Sequence, residues 1–99
     1  MNKTELKNRI VDLLKGETEI EKIIIFGSFN RGDNPNDIDI AVVQNSSDNY
    51  LTLALKYRKL IREISKEIAV DIFPVVEKNK NSFFKNEIES GEVIYARRN

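Results

Sequence analysis

The chain has 99 residues and a mass of 11.4 kDa, a length that predicts one domain, residues 1–99, with one modest core. Sixteen basic and sixteen acidic residues cancel, so no net charge draws the protein to nucleic acid or to an anionic membrane. The sequence has no Cys and no His, which excludes disulfides, thiolate zinc sites and an imidazole base. Acid, base or metal chemistry therefore depends mainly on carboxylates.

The sequence contains neither a secretion signal nor a membrane span. Residues 1–5 lack the basic-then-apolar pattern of a secretion signal. The longest apolar runs, Ile23–Phe26 and Ile40–Val43, are far shorter than the roughly 20 residues that cross a bilayer. We therefore expect a cytoplasmic protein with no membrane contact.

The first half of the chain predicts one helix and two strands. Apolar residues recur at helical spacing through residues 3–15, and Asn2 can cap the start of this helix. The run Ile23–Phe26 is typical of a strand buried on both faces. A turn-rich segment, residues 30–36, leads to a second strand at Asp37–Val43.

The second half predicts a long helix followed by a strand. Ser46–Asp48 offers an N-cap for an amphipathic helix of about residues 49–68. Val70–Val76 is a third strand, and Pro74 indicates that this part lies at a sheet edge or a bulge.

The end of the chain predicts a helix over residues 82–90 and a last strand at residues 93–95. The order is then helix, strand, strand, helix, strand, helix, strand. This order predicts an α+β fold in which helices pack on a mixed sheet of about four strands.

Two carboxylates stand together on the second predicted strand. Because side chains at i and i+2 of a strand share a face, Asp37 and Asp39 lie side by side while Ile38 and Ile40 point the other way. Close like charges are costly unless a cation neutralises them, and Mg²⁺ or Mn²⁺ takes such oxygen ligands. An isolated Asp-x-Asp favours a simpler interpretation, in which Asp37 ends the strand and Asp39 faces solvent.

A third carboxylate, Asp71, interrupts the apolar run Ile68–Phe73. A buried carboxylate needs a partner. If this strand lies beside Asp37–Val43, Asp71 completes a three-carboxylate site for two metal ions. A salt bridge or an exposed edge position explains an isolated Asp71 equally well.

Gly27 and Ser28 follow the first predicted strand. A glycine there lets a phosphate approach the backbone, and free N–H groups with the Ser28 hydroxyl can hold it. The spacing from Gly27 to Gly32 imitates a P-loop, but Asp33 and Asn34 stand where that motif needs Lys and then Ser or Thr, which argues against a Walker-type NTPase. Taken alone, Gly27-Ser28 is equally an ordinary turn.

Together these motifs resemble a known family. The segments Gly27–Gly32, Asp37–Val43 and Val70–Ile72 are similar to those of the polymerase β-like nucleotidyltransferase superfamily, and the length matches its minimal nucleotidyltransferases. The resemblance covers nearly the whole chain. The loop before the first Asp is a little shorter than the family pattern, and Asn36 stands where a Ser often precedes that Asp.

The resemblance implies roles for the three carboxylates. Asp37 and Asp39 would bind two Mg²⁺ or Mn²⁺ ions that hold the nucleoside triphosphate, and Asp71 would bind the catalytic ion and help to activate the incoming hydroxyl. The implied reaction is in-line attack of that hydroxyl on the α-phosphorus, with pyrophosphate leaving. This mechanism requires the three carboxylates to share one face of the sheet, and Asp71 on the opposite face would favour a binding function instead.

The resemblance also implies contacts to the phosphates. Gly27 and Ser28 would hold the β- and γ-phosphates. Arg31 is a candidate phosphate contact because its guanidinium is a permanent cation with several donors, although a surface position explains it equally well.

The function that the resemblance implies is transfer of AMP from ATP to a hydroxyl. In this family, minimal members are commonly encoded beside a HEPN-domain toxin, a ribonuclease, and act as antitoxins by binding it and adenylylating a tyrosine. This chain is not itself the HEPN ribonuclease, whose motif needs a His. We therefore expect a nucleotidyltransferase antitoxin with a HEPN toxin as partner.

Two other functions stay open. The chain could neutralise a partner by occlusion without catalysis, although the three carboxylates argue against a decayed site. It could also modify a small molecule or a nucleic-acid end with another subunit completing the site, although no basic patch with interleaved aromatics indicates direct nucleic-acid binding. Phe83-Phe84, or an edge strand near Pro74, could support a homo-oligomer.

Overall fold

The computed structural model describes residues 2–30, 36–76 and 88–98. The elements in these ranges, in chain order, are α1 (Lys3–Leu14), β1 (Ile20–Phe26), a 3₁₀ turn (Gly27–Asn30), β2 (Asp37–Gln44), α2 (Tyr50–Leu60), α3 (Arg62–Ser65), β3 (Ala69–Val75) and β4 (Glu92–Ala96). No helix in these ranges is long and apolar enough to cross a membrane.

The strands form one mixed sheet in the order β3-β2-β1-β4. β1 pairs antiparallel with both β2 and β4, and β2 pairs parallel with β3. Parallel neighbours need a crossover connection, which α2 and α3 provide between β2 and β3. The predicted α+β fold with a four-stranded mixed sheet is confirmed.

The helices cover one face of the sheet. Ile38, Ile40 and Val42 alternate along β2 toward this face, are fully buried, and share a core cluster with α1 residues such as Leu6 and Ile10. Burying an aliphatic side chain of this size stabilises the fold by roughly 1.5–3 kcal/mol. This cluster is therefore the main source of stability of the described fold. It fixes β2, the strand that carries Asp37 and Asp39, against the helices.

The opposite face of the sheet carries a smaller apolar cluster. Its members are Ile24, Phe26, Ala41, Val43 and Ile88, with Phe73 and Val75 packed against them. The rings of Phe26 and Phe73 are tilted against each other with centroids 5.7 Å apart. Ala41 and Val43 continue the i+2 series of the two acidic residues on β2, so the carboxylates lie at one end of this face.

The predicted helix over residues 3–15 is confirmed as α1, which spans Lys3–Leu14. The Asn2 side chain accepts a hydrogen bond from the Glu5 backbone N–H at 3.0 Å, which is N-capping geometry. Leu6, Ile10 and Leu14 recur every four residues and are buried.

The long helix predicted over residues 49–68 differs from the structure in two ways. Its cap is Asn49, whose side chain accepts from the Thr52 N–H, while the Ser46 hydroxyl accepts from the Asp48 N–H in a local turn. The helix also breaks into α2 and α3 at Ile61, whose φ and ψ of −103° and 20° leave the helical range. The prediction missed the break because the apolar face continues across it.

The predicted strands are confirmed with small shifts at their ends. β1 begins three residues earlier than predicted, at Ile20, and β3 spans Ala69–Val75 at an edge of the sheet, as Pro74 indicated. Of the helix predicted over residues 82–90, residues 82–87 lie outside the described ranges, including both phenylalanines of the proposed self-association surface.

A polar contact joins the start of β1 to α2. Glu19 accepts hydrogen bonds from Lys56 Nζ at 2.9 Å and from the Tyr57 hydroxyl at 2.8 Å. Burial acts to raise the pKa of Glu19, but the hydrogen bonds from Lys56, from its own backbone N–H and from Tyr57 outweigh burial and lower that pKa. Burial, with the adjacent Glu19 carboxylate, raises the pKa of the Tyr57 hydroxyl.

Candidate functional site

Strand alternation brings Asp37 and Asp39 to the sheet face opposite α1 and α2, the face that also carries the smaller apolar cluster. Ile38 and Ile40, between and after them, are fully buried toward the helices, whereas both carboxylates are half-buried. The burial of the isoleucines fixes which way the strand faces, because a slip by one residue would turn the carboxylates into the core.

Asp71 lies on the same face, in the neighbouring strand. The parallel register pairs Asp39 with Asp71 and Asp37 with Ala69, and paired residues in adjacent strands point to the same side. Adjacent strands are about 4.8 Å apart, so Asp39 and Asp71 are cross-strand neighbours. Asp71 is exposed, because β3 is an edge strand.

Gly27 approaches this acidic face directly. It has a φ of +78°, and a Cβ added to it would lie 2.5 Å from Asp39 Oδ2. The approach follows from the antiparallel register, which pairs Phe26, the residue before Gly27, with Asp39. Only glycine satisfies both demands, since L residues strongly disfavour this φ and any side chain would displace the carboxylate.

The remaining predicted phosphate contacts are only partly described. The backbone of Ser28 continues from Gly27 into the 3₁₀ turn, so the Gly27-Ser28 segment stands beside Asp39. Arg31 lies outside the described residues. The site therefore combines three carboxylates on two adjacent strands with a glycine turn against one of them.

Phe29 and Lys3 are residues of this region that the sequence did not single out. Phe29 is fully buried in the main core cluster and anchors the turn that begins at Gly27. Lys3, in the first turn of α1, donates a hydrogen bond from Nζ to the Phe29 backbone oxygen at 2.7 Å. An aromatic residue directly after Gly27-Ser28 was an available signal for the anchor, whereas nothing local marks Lys3.

The donor chemistry fits a hard divalent cation. Carboxylate oxygens are the ligands that Mg²⁺ and Mn²⁺ prefer, and the three aspartates come from two rigid, hydrogen-bonded strands. Within the described ranges no group of three or more acidic side chains is already assembled as a metal site. The carboxylates are thus suitable donors that share a face and would have to converge on an ion.

A cavity of about 390 Å³ lies away from these carboxylates. It is lined by Asn2, Glu5, Leu6 and Arg9 of the first helix and its cap, and by Glu67 before β3. The Arg9–Glu67 ion pair of 2.6 Å crosses this region. All of its α1 residues belong to the helical layer, so the cavity is separate from the acidic face.

Comparison with known proteins decides the family. The model of the family described as "Polymerase beta, Nucleotidyltransferase" matches residues 8–99 of the chain. The chain belongs to this family. A full-length relative from Methanocaldococcus jannaschii, named "Putative protein adenylyltransferase MJ0604", is 35% identical over 96% of this chain and 100% of the relative.

Solved structures of similar fold include nucleotidyltransferase antitoxins. One is the complex of a tri-AMPylated Shewanella oneidensis HEPN toxin with its MNT antitoxin, matched with a TM-score of 0.69 and 21% identity over 95% of this chain and 72% of that chain. Another is a toxin-antitoxin structure with AMP-PNP, with a TM-score of 0.65 and 21% identity over 93% and 74% of the two chains. The predicted membership of the polymerase β-like nucleotidyltransferases, and with it the enzyme class, is confirmed.

Proposed function

We propose that this nucleotidyltransferase moves AMP from ATP to a tyrosine hydroxyl of a HEPN-domain toxin and so acts as its antitoxin. The observation that carries the proposal is the pairing of Asp39 with Asp71 on one sheet face, with Gly27 against Asp39. The name of the M. jannaschii relative, a protein adenylyltransferase, supports AMP as the transferred group and a protein as the acceptor.

The three carboxylates carry the chemistry in this proposal. Asp37, Asp39 and Asp71 would hold two Mg²⁺ or Mn²⁺ ions, which supply the positive charge that stabilises the entering and leaving oxygens at the α-phosphorus. The carboxylates themselves fix where the triphosphate lies, because Asp37 and Asp39 stand on β2, whose other face is fully buried, and Asp71 stands on the strand paired with it. Asp39 has the central position, between Gly27 and Asp71.

The glycine turn holds the phosphates. Gly27 has no side chain to keep a ligand away from its backbone, so the β- and γ-phosphates would come close to the N–H groups of the turn. Ser28 would add its hydroxyl, and Arg31 would add a permanent positive charge to the same phosphates. These donors keep the pyrophosphate in place as the bond to it breaks.

The acceptor reaches the site from the side of the edge strand. Asp71 is exposed on β3, so a tyrosine carried by another protein can approach it. A bond forms between the tyrosine oxygen and the α-phosphorus, the bond from that phosphorus to pyrophosphate breaks, and the phenolic proton passes toward the Asp71 carboxylate and solvent. The products are an adenylylated tyrosine and pyrophosphate.

We place this reaction in the cytoplasm, where ATP and an intracellular ribonuclease toxin are both present. The solved Shewanella oneidensis complex of similar fold supports the choice of partner, since it pairs an MNT antitoxin with a HEPN toxin that carries AMP. A homo-oligomer of the antitoxin is compatible with this arrangement and is not required by it.

The test is the intact mass of the HEPN partner after incubation with this protein, ATP and Mg²⁺. We expect the partner to gain one or more AMP units with the wild-type protein and with Asp48→Asn, an exposed turn residue that follows β2 at the end opposite Asp37. Asp39→Asn should abolish the gain. Co-purification of the two proteins with no gain in mass would overturn the transferase proposal and favour an antitoxin that acts by occlusion.

A further inference from the structure

Lys3 ties helix α1 to the turn that carries Gly27 and Ser28. Its ammonium donates to the Phe29 backbone oxygen at 2.7 Å and stands 5.2 Å from the centroid of the Phe29 ring. The two residues are 26 positions apart in the chain, so this contact fixes the turn against a separate element.

The turn needs such a contact because it is too short to hold itself. A four-residue 3₁₀ turn makes few internal hydrogen bonds, and the carbonyls at its end have no partner inside it. The turn is held at Phe29 in two ways. The Phe29 ring is buried in the core, and Lys3 donates a charge-assisted hydrogen bond to the Phe29 backbone oxygen. Both contacts lie two residues from Gly27.

Lys7 provides a natural comparison one helical turn away. Its ammonium lies 6.0 Å from the centroid of the same Phe29 ring. Its polar contact within the described ranges is an ion pair with Glu92 of β4 rather than a bond to the turn. The two lysines therefore share the ring contact and differ in the bond to the backbone.

We propose that Lys3 is a positioning residue for the nucleotide, which it affects through Phe29 by holding the Gly27–Asn30 turn in its phosphate-binding shape. The inference rests on the proposed function, because it takes the triphosphate to bind at Gly27 and Ser28. A turn that is ordered before the ligand arrives spares the cost of ordering it on binding. Without the Lys3 hydrogen bond, the turn must become ordered when the nucleotide binds, which lowers the affinity for the nucleotide.

The test compares Lys3→Met with Lys7→Met in the full chain. Affinity for AMP-PNP with Mg²⁺ is measured by calorimetry in the absence of the acceptor protein, and KM for ATP and kcat are measured with the partner protein. We expect Lys3→Met to weaken binding and raise KM by about tenfold, as loss of one charge-assisted hydrogen bond would, with kcat within about threefold. Lys7→Met should change affinity by less than about twofold, and Lys3→Arg, which keeps a cationic donor, should restore most of it.

Hydrogen exchange in the nucleotide-free protein separates positioning from direct phosphate contact. We expect the amides of residues 27–30 to exchange faster in Lys3→Met than in the wild type and to be unchanged in Lys7→Met. Weakened AMP-PNP binding with unchanged exchange would overturn positioning, because Lys3 would then act on the phosphate itself. Equal losses of affinity in both methionine variants would also overturn it, because helix packing alone would explain them.

Failure of this inference can be told from failure of the proposed function. If the wild-type protein does not bind AMP-PNP at all, the proposed function falls and the role of Lys3 falls with it. If the wild type binds and Lys3→Met binds within about twofold of it, only the role of Lys3 is wrong.

Discussion

Gly27 is the residue whose identity the structure constrains most tightly. Its φ is +78°, and a Cβ at this position would lie 2.5 Å from Asp39 Oδ2, so Gly27→Ala both strains the backbone and displaces a carboxylate of the site. We expect a loss of about 1–2 kcal/mol in unfolding free energy, and a loss of at least about tenfold in transfer rate. Denaturant unfolding and the transfer rate check this.

Gly16 offers the matched control for that substitution. A Cβ at Gly16 meets nothing within 4 Å and its φ is not in the left-handed range, so Gly16→Ala should leave the transfer rate unchanged and the stability equal or slightly higher. Full transfer activity in Gly27→Ala would contradict the role given to the glycine turn.

Substitution of Asp71 should lower the transfer rate while leaving the stability of the fold nearly unchanged. It is exposed on an edge strand, so Asp71→Asn should change the unfolding free energy by no more than about 0.5 kcal/mol. The transfer rate should fall by at least about 100-fold, because in the proposed reaction the Asp71 carboxylate helps to hold the ions and receives the proton of the attacking hydroxyl. A variant with normal stability and a rate within a few fold of wild type would remove Asp71 from the site.

At the scale of elements, hydrophobic periodicity predicted α1, β1, β2 and β3 to within a few residues, because each buries a regular set of side chains. Periodicity could not show the break at Ile61, since Ile61 and Ile64 are both buried and the apolar face runs on through the break. The choice of Asn49 over Ser46 as the cap was equally hidden, because both residue types cap helices well.

The contact between β1 and α2 predicts a pH dependence of stability. Because the folded state lowers the pKa of Glu19 below its ordinary value of 4.5, Glu19 contributes stability that is present above that value and is lost as pH falls through the folded pKa. Glu19→Gln should cost about 1 kcal/mol near pH 7, and the difference from wild type should shrink below pH 4.5. Thermal or urea unfolding of both proteins at several values between pH 3 and 7 measures this difference in stability.

The control for that experiment is Glu17, which pairs with the same Lys56 at 2.7 Å and is more exposed than Glu19. Glu17→Gln should change the acid limb of the stability profile less than Glu19→Gln does, because a more exposed pair is better screened by water. Parallel curves for wild type and Glu19→Gln across this pH range would show that Glu19 does not carry the dependence.

At the scale of the whole molecule, the sequence was sufficient to place two of the three carboxylates of the acidic site on one face. The i, i+2 spacing predicted that Asp37 and Asp39 share a face. The position of Asp71 depends on which strands become neighbours and in which register, and that is decided by packing between segments about 30 residues apart. Lys3 and Phe29 meet for the same reason, so neither contact could be read from local spacing.

The most direct test of the proposed reaction follows the phosphorus atoms of ATP. The protein, its HEPN partner and Mg²⁺ are incubated with ATP labelled either at the α- or at the γ-phosphorus, with Asp39→Asn as the inactive control. We predict label in the partner from the α-position alone, on tyrosine, with the γ-label recovered in pyrophosphate. Label in the partner from the γ-position, or equal α-labelling by Asp39→Asn, would contradict adenylyl transfer at this site.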